Sequence, residues 1–237
     1  KHFQDELIHC DAGPSVVRAY PTTPEGAGYK AKIVNILHGK RDNWFRPVDV
    51  CVAPDGSLFI TDWYDPGVGG HAQGDTERGR VFRVAPLGAT YDVPTFDVST
   101  PGGAVAALLN PNASARYMGW EALQGMGAKA VPALENVFKG SDNPRYRARA
   151  LWALGKLPGV DASRTVEAAI TDANPDIRIV GVRLARQIGV ELHSVVGKLV
   201  ADPSPAVRRE CAIALRHSNL RGAATLWAAL AAAHDGH

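Results

Sequence analysis

Residues 143–154 read NPRYRARALWAL, and three other stretches align with them without gaps: NASARYMGWEAL from Asn112, NPDIRIVGVRLA from Asn174 and SPAVRRECAIAL from Ser204. The fifth position is always arginine (Arg116, Arg147, Arg178, Arg208), and the twelfth is Leu123, Leu154, Ala185 or Leu215. Each stretch opens on Asn or Ser, which accepts a hydrogen bond from a free backbone N–H of the first helical turn. Three continue with proline (Pro144, Pro175, Pro205), whose missing N–H costs nothing at that position. Apolar residues then recur at helical spacing, as in Tyr146, Ala150, Leu151 and Leu154, or Ile177, Gly181, Leu184 and Ile188. These are helix starts, repeated roughly every 31 residues.

Shorter apolar stretches separate them: AVPALENVF, TVEAAITDA, LHSVVGKLV and AATLWAAL. They read as second helices, giving at least seven helices after Pro101. One such hairpin is too small to bury both apolar stripes, so successive hairpins must stack into a continuous core. Leu123, Leu151 or Trp152, Leu154, Leu184, Leu199 and Leu215 are the expected core. The pattern resembles short HEAT repeats, including AVPAL and an aspartate in the turn before each new helix. A cation in the first turn opposes the helix dipole by about 0.3–1 kcal/mol. The expected compensation is an Arg–Asp ladder in which Asp142, Asp172 and Asp202 face the repeated arginines.

Before Pro101 the period changes to that of strands. LIHC, VVRAY, YKAKIVNIL, VDVCVA, SLFITDW and RVFRVA are short runs rich in Val, Ile and aromatics, divided by the turns DAGP, PEGAG, PDG and DPGVGG. Strand, PDG turn, strand, glycine-rich loop and strand make three of the four strands of one propeller blade, and the earlier runs supply about three of another. The expected architecture is multidomain, β then α: the last blades of an incomplete β-propeller over 1–100, then an α-solenoid of HEAT-like repeats over 101–237. Two blades cannot close a ring, so the remaining propeller blades, from the same gene product or another chain, are expected partners.

The stretches HCDAGPSVVRAY, DNWFRPVDVCVAPDGSLFITDWYDPGVGGH and ERGRVFRVAP resemble the end of the propeller in the membrane-bound dehydrogenase-like family of planctomycetes and verrucomicrobia. The resemblance covers about residues 7–86, with FRPVD, PDG and DWY in matching order and spacing. Proteins of that family resemble soluble sugar dehydrogenases in their propeller, follow it with HEAT repeats and commonly end in a c-type haem domain. It implies a periplasmic or exported oxidoreductase that oxidises a sugar or alcohol, with pyrroloquinoline quinone and calcium as cofactors and a c-type haem domain or cytochrome as electron acceptor. No CxxCH is present, so no haem site is assigned to this chain. The alternative is a non-catalytic propeller and HEAT scaffold that binds carbohydrate or protein.

Propeller ligand sites lie at one mouth of the channel, which directs attention to the loops after LIHC and after FITDW. His9 and His71 are the candidate catalytic bases, Asp62 and Asp65 the candidate metal ligands, and Arg46 and Tyr64 the candidate cofactor-binding residues. Trp44, Phe45, Trp63 and Tyr64 are suited to stacking on a sugar ring, although aromatic wedges between blades are the commoner use. The same Asp and Gly residues also serve tight turns and strand ends.

Composition sets the remaining bounds. The 237 residues are 46% hydrophobic and 21% charged, ordinary for a soluble globular protein. Net charge is +2, with 10 basic and 13 acidic residues up to residue 100 and 16 and 11 after it. So small a basic surplus, spread over helix faces, gives no expectation of nucleic-acid binding. No apolar run is long enough for a membrane span and no signal-peptide pattern opens the chain. Lys1 stands where an initiator methionine would, implying a processed product or a fragment. Cys10, Cys51 and Cys211 are far apart and read as isolated thiols.

Overall fold

A computed structural model describes residues 6–69, 71 and 74–233. They form two compact units, one of residues 6–24, 29–95 and 110–115 and the other of residues 25–28, 96–109 and 116–233. The first is built of antiparallel sheets and the second of helices, so the order along the chain is β then α.

Strands β1 (Leu7–Asp11), β2 (Val16–Tyr20) and β5 (Val34–His38) form one antiparallel sheet in the order β1-β2-β5. Strands β3 (Thr22–Glu25) and β4 (Gly28–Ala31) form a separate two-stranded hairpin. The run YKAKIVNIL, read above as one strand, is therefore divided between β4 and β5. Tyr29, Lys30, Ala31 and Lys32 are exposed and give the sheet no apolar face to extend, whereas Val34, Ile36 and Leu37 are partly buried. Strand β2 is also only five residues long and has no further partners to offer.

Strands β6 (Pro47–Val52), β7 (Leu58–Asp62) and β8 (Arg80–Val84) form the third sheet, in the order β6-β7-β8. The PDG turn links the first two. Gly56 takes φ +84°, a left-handed conformation costly to a side chain. Asp55 Oδ1 accepts from Ser57 N (2.9 Å) and Ser57 Oγ (2.6 Å), and its other oxygen pairs with Arg83 (2.9 Å). Alternation then sorts the side chains: Val50, Ile60 and Phe82 occupy matched positions and face a small core with Val17 and Phe45. Ile8, Cys10 and Leu37 of the first sheet pack against the same core.

In the second unit the described residues form α1 (Pro101–Leu109), α2 (Ala113–Met126), a 3-10 turn (Gly127–Ala130), α3 (Val131–Gly140), α4 (Pro144–Leu154), α5 (Ser163–Ile170), α6 (Pro175–Ile188), α7 (Leu192–Leu199), α8 (Pro205–Leu215) and α9 (Ala223–Ala232). Helices begin just after Asn112, Asn143, Asn174 and Ser204, as the repeat predicts. Asn143 and Asn174 accept from the N–H two residues on (2.9 and 2.8 Å), and Asn112 from Ala115 N (2.9 Å). Ser204 makes no side-chain cap; its own N–H is held by Asp202 Oδ1 at 2.8 Å.

Helix α3 packs on α4, α5 on α6 and α7 on α8, while α4, α6 and α8 pack in succession and α5, α7 and α9 form the second layer. Leu123, Leu134, Leu151, Ile177, Leu184, Val196 and Val207 are fully buried along one continuous core. At Gly181 an added Cβ would lie 2.9 Å from Ala169 Cβ and 3.0 Å from Ile170, so the missing side chain lets α5 and α6 approach.

The arginine ladder has two complete rungs among the described residues. Arg147 pairs with Asp172, and Arg178 grips both oxygens of Asp202 at 2.7 and 2.8 Å. The partner lies one hairpin further along: 25 residues on from Arg147 and 24 from Arg178. Each aspartate also holds the backbone N–H two residues later, Asn174 N and Ser204 N, both at 2.8 Å. Arg208 departs from the expectation. It donates to the backbone carbonyls of Asp202 (2.6 Å) and Ala233 (3.3 Å) and has no carboxylate partner among the described residues.

Candidate functional site

Beyond β7 the chain turns beside the segment that leads into β6. Trp63 N donates to Arg46 O and Asp65 N to Trp44 O, both at 3.0 Å, so the two segments run as a short ladder. Asp62 organises their junction. It is 4% exposed; its Oδ1 accepts from Arg46 N (2.7 Å) and Tyr64 N (3.0 Å), and its Oδ2 is gripped by Arg80 through Nε (2.6 Å) and Nη2 (2.5 Å). Arg80 also pairs with Asp42 at 2.7 Å and lies 4.2 Å above the Tyr64 ring. Burial disfavours its charge, but the two carboxylates outweigh it and hold the guanidinium above its ordinary pKa.

Tyr64 has φ +58°, uncommon for a bulky residue. The Asp62 bond to its N–H and the packing of its ring on Trp44 (5.4 Å between centroids) and Arg80 hold it there. Arg46 reaches across to the loop after β1: it donates to Ser15 Oγ, to Phe45 O (3.0 Å) and to Pro66 O (2.9 Å). Asp65, 2% exposed, accepts from Gly67 N at 2.9 Å. His71 Nδ1 is 3.8 Å from Asp65 Oδ1, with its ring 60% exposed beside Gly67 and Gly69.

These segments enclose an open cleft of about 290 Å³, lined by Ala12, Arg46, Val48, Trp63, Asp65 and the Gly67–Gly69 loop. It lies between the loops after β1 and after β7, where the sequence placed the candidate site. Arg46 and Asp65 border it, Asp62 and Tyr64 stand behind it in the bracing network, and His71 sits beside Asp65. His9 is elsewhere, exposed on β1 opposite Arg18, with its ring 6.3 Å from Tyr20. Val48 and Val68 form part of the lining that the sequence reading did not single out. Val68 was legible as the one apolar residue of a glycine-rich loop. Val48 was not, because a register shift between Pro47 and Asp49 brings it to the cleft.

The carboxylates do not fit a calcium ion. Asp62 already accepts two N–H groups and a guanidinium, Asp65 closes its own turn, and no group of three His, Cys, Asp or Glu suited to a metal occurs among the described residues. For an anionic quinone, Arg46 of the lining is already engaged by Ser15, Phe45 and Pro66 through its terminal nitrogens, while its Nε is buried without a partner.

Residues 1–86 match a family model described as a domain of unknown function, DUF7133. Comparison with curated proteins and with solved structures gave no match. Among the described residues no helix is long and apolar enough to cross a membrane.

Proposed function

We propose that this chain is a non-catalytic binding scaffold in which two blades of β-propeller type precede a HEAT-type helical stack, and that the cleft beside Trp63 takes a carbohydrate ring. One observation carries the reading. Asp62, Asp65 and Arg46 are committed to holding the loops of the cleft, whereas Trp63 is 52% exposed in the lining between Val48 and Val68. An indole face in an open, largely apolar cleft suits the C–H face of a pyranose. The remaining blades as partners, and an exported or periplasmic location, belong to the same proposal and rest on the resemblance of the first 86 residues.

The test is a screen of mono- and oligosaccharides by ligand-observed NMR on the full chain, followed by titration of Trp63→Ala. Saturable binding that Trp63→Ala weakens by at least about tenfold supports the reading. Binding unchanged by that substitution overturns it, as does sugar-dependent dye reduction by protein supplied with pyrroloquinoline quinone and calcium. The latter outcome would restore the sugar or alcohol dehydrogenase, with electrons passing to a haem protein.

A further inference from the structure

The two layers of the helical unit carry charge differently. In the layer of α3, α5 and α7 the last-turn lysines are matched: Lys139 pairs with Glu135 and Lys198 with Glu167, both at 2.7 Å. The layer of α4, α6 and α8 is not balanced in this way. Counted from Asn143, Asn174 and Ser204, positions three, six, seven, ten and thirteen or fourteen fall on one side of each helix. Positions eight and twelve, on the opposite side, are buried: Ala150, Leu154, Gly181, Ala185, Cys211 and Leu215.

The open side carries Arg145, Arg149 and Lys156 on α4 and its end, and Arg183 and Arg186 on α6. Helix α8 adds Arg209 and, at its end, Arg216. The acids of the same side are Asp176 and Glu210, and Glu121 at the tenth position of α2 brings the balance to seven cations against three acids. One of those acids is already spent within the face, since the Glu210 side chain is 7% exposed and held by Arg183 at 2.7 Å. Arg209 is also engaged, by the Ala27 carbonyl at 2.5 Å. Arg186 is exposed, and Lys156 lies 4.8 Å over the Trp152 ring, which places both on the open side. The helix dipole favours a cation at each C-terminal end, which accounts for Lys156, Arg186 and Arg216 singly. It does not account for Arg145 in the first turn of α4 or for Arg149 and Arg183 in mid-helix. Aliphatic side chains stand between the cations, Val180 half-buried and Ile213 42% exposed.

We infer that this side of α4, α6 and α8 is a docking surface for an acidic segment of a separate protein. Its Asp and Glu side chains meet Lys156, Arg186 and Arg216, and its apolar side chains meet Val180 and Ile213. Charge complementarity selects the class of partner. A single-stranded nucleic acid would call for open aromatic platforms, and on these three helices the one aromatic of the face, Trp152, lies under Lys156. Neither a segment of this chain nor a second copy is a suitable occupant, because the sequence contains no run of three acidic residues. The inference goes beyond the sugar cleft and does not depend on it, so failure of either leaves the other standing.

The probe is a fluorescein-labelled peptide of Glu-Glu-Leu-Asp repeats, titrated with the full chain by anisotropy in about 50 mM salt, where surface charges are weakly screened. Saturable one-to-one binding is expected. Lys156→Glu combined with Arg186→Glu should weaken it by about tenfold or more, whereas Lys139→Glu on the other layer should leave it unchanged. If the doubly reversed variant does not fold, Lys156→Gln with Arg186→Gln reads the same contacts with a smaller loss in the same direction. Absence of saturable binding up to about millimolar peptide, or binding indifferent to these substitutions, overturns the inference. So does tighter binding of an oligonucleotide of equal charge, because the face would then be a nucleic-acid surface.

Discussion

Replacing Asp202 by alanine removes more than an ion pair. Its two oxygens take bonds from Arg178 at 2.7 and 2.8 Å, and one of them also holds Ser204 N at 2.8 Å ahead of α8. The side chains of Arg178 and Asp202 are only 11% and 5% exposed, so solvent cannot replace what is lost. Desolvation opposes the charge of Arg178, yet the Asp202 hydrogen bonds, the larger influence, raise its pKa above the ordinary value. Breaking a buried pair from one side typically costs about 3–5 kcal/mol because a charge is left uncompensated. Losing the Ser204 N–H acceptor adds about 0.5–1.5 kcal/mol, so the total for Asp202→Ala is about 4–6 kcal/mol. The Lys198–Glu167 pair provides the control: at 2.7 Å it has equal geometry, but both side chains are about half exposed and its loss should cost about 0–1 kcal/mol. Urea unfolding followed by circular dichroism measures both. In a double-mutant cycle Arg178→Met with Asp202→Ala should cost clearly less than the sum of the single changes, since removing both partners leaves no stranded charge. A cost for Asp202→Ala no larger than that for Glu167→Ala, or strict additivity in the cycle, would refute the reasoning.

Leu184 is fully buried between the layers, so Leu184→Ala should destabilise the chain by about 2–5 kcal/mol in the same urea assay. The thiols should separate by reactivity: Cys51 is exposed and should react with a maleimide at once, whereas burial pushes Cys10 up to about 11 and Cys211 up to about 12. Mass spectrometry of the labelled native chain at mildly alkaline pH should therefore show Cys211 unmodified until denaturant is added. The Asp55 carboxyl is held below its ordinary value, first by the Ser57 hydroxyl and then by its backbone and Arg83 contacts. A depressed carboxylate contributes stability above its unfolded value, near pH 4, which is lost as pH falls through the folded value. NMR titration should find its midpoint below that of a free aspartate and moved upward by Ser57→Ala; an unmoved midpoint would count against the contact.

The helical half was legible because its signals are local. An Asn or Ser cap, a proline after it and apolar spacing of three and four sit within one turn or two, and all four predicted helix starts fall where the structure has them. The arginine ladder was legible as residue types, and the rule that each arginine reaches the aspartate of the next hairpin came only from stacking. The departure of Arg208 could not be read from its own helix, since what it lacks belongs to a different one. In the β half the strand runs and the PDG turn were plain from alternation and glycine, but YKAKIVNIL gave no sign of its division into β4 and β5, because strand pairing depends on what lies opposite rather than on the run itself. The candidate cleft shows the same limit. Sequence put Asp62, Tyr64 and Asp65 in the loop after FITDW and Arg46 just before VDVCVA, without relating the two segments. Only the tertiary structure decided that Asp62 takes up Arg80 and the Arg46 N–H, that Arg46 reaches Ser15, and that Trp63, Val48 and Val68 come to the lining, because hydrogen-bond partners 16 to 31 residues apart are set by folding and not by spacing.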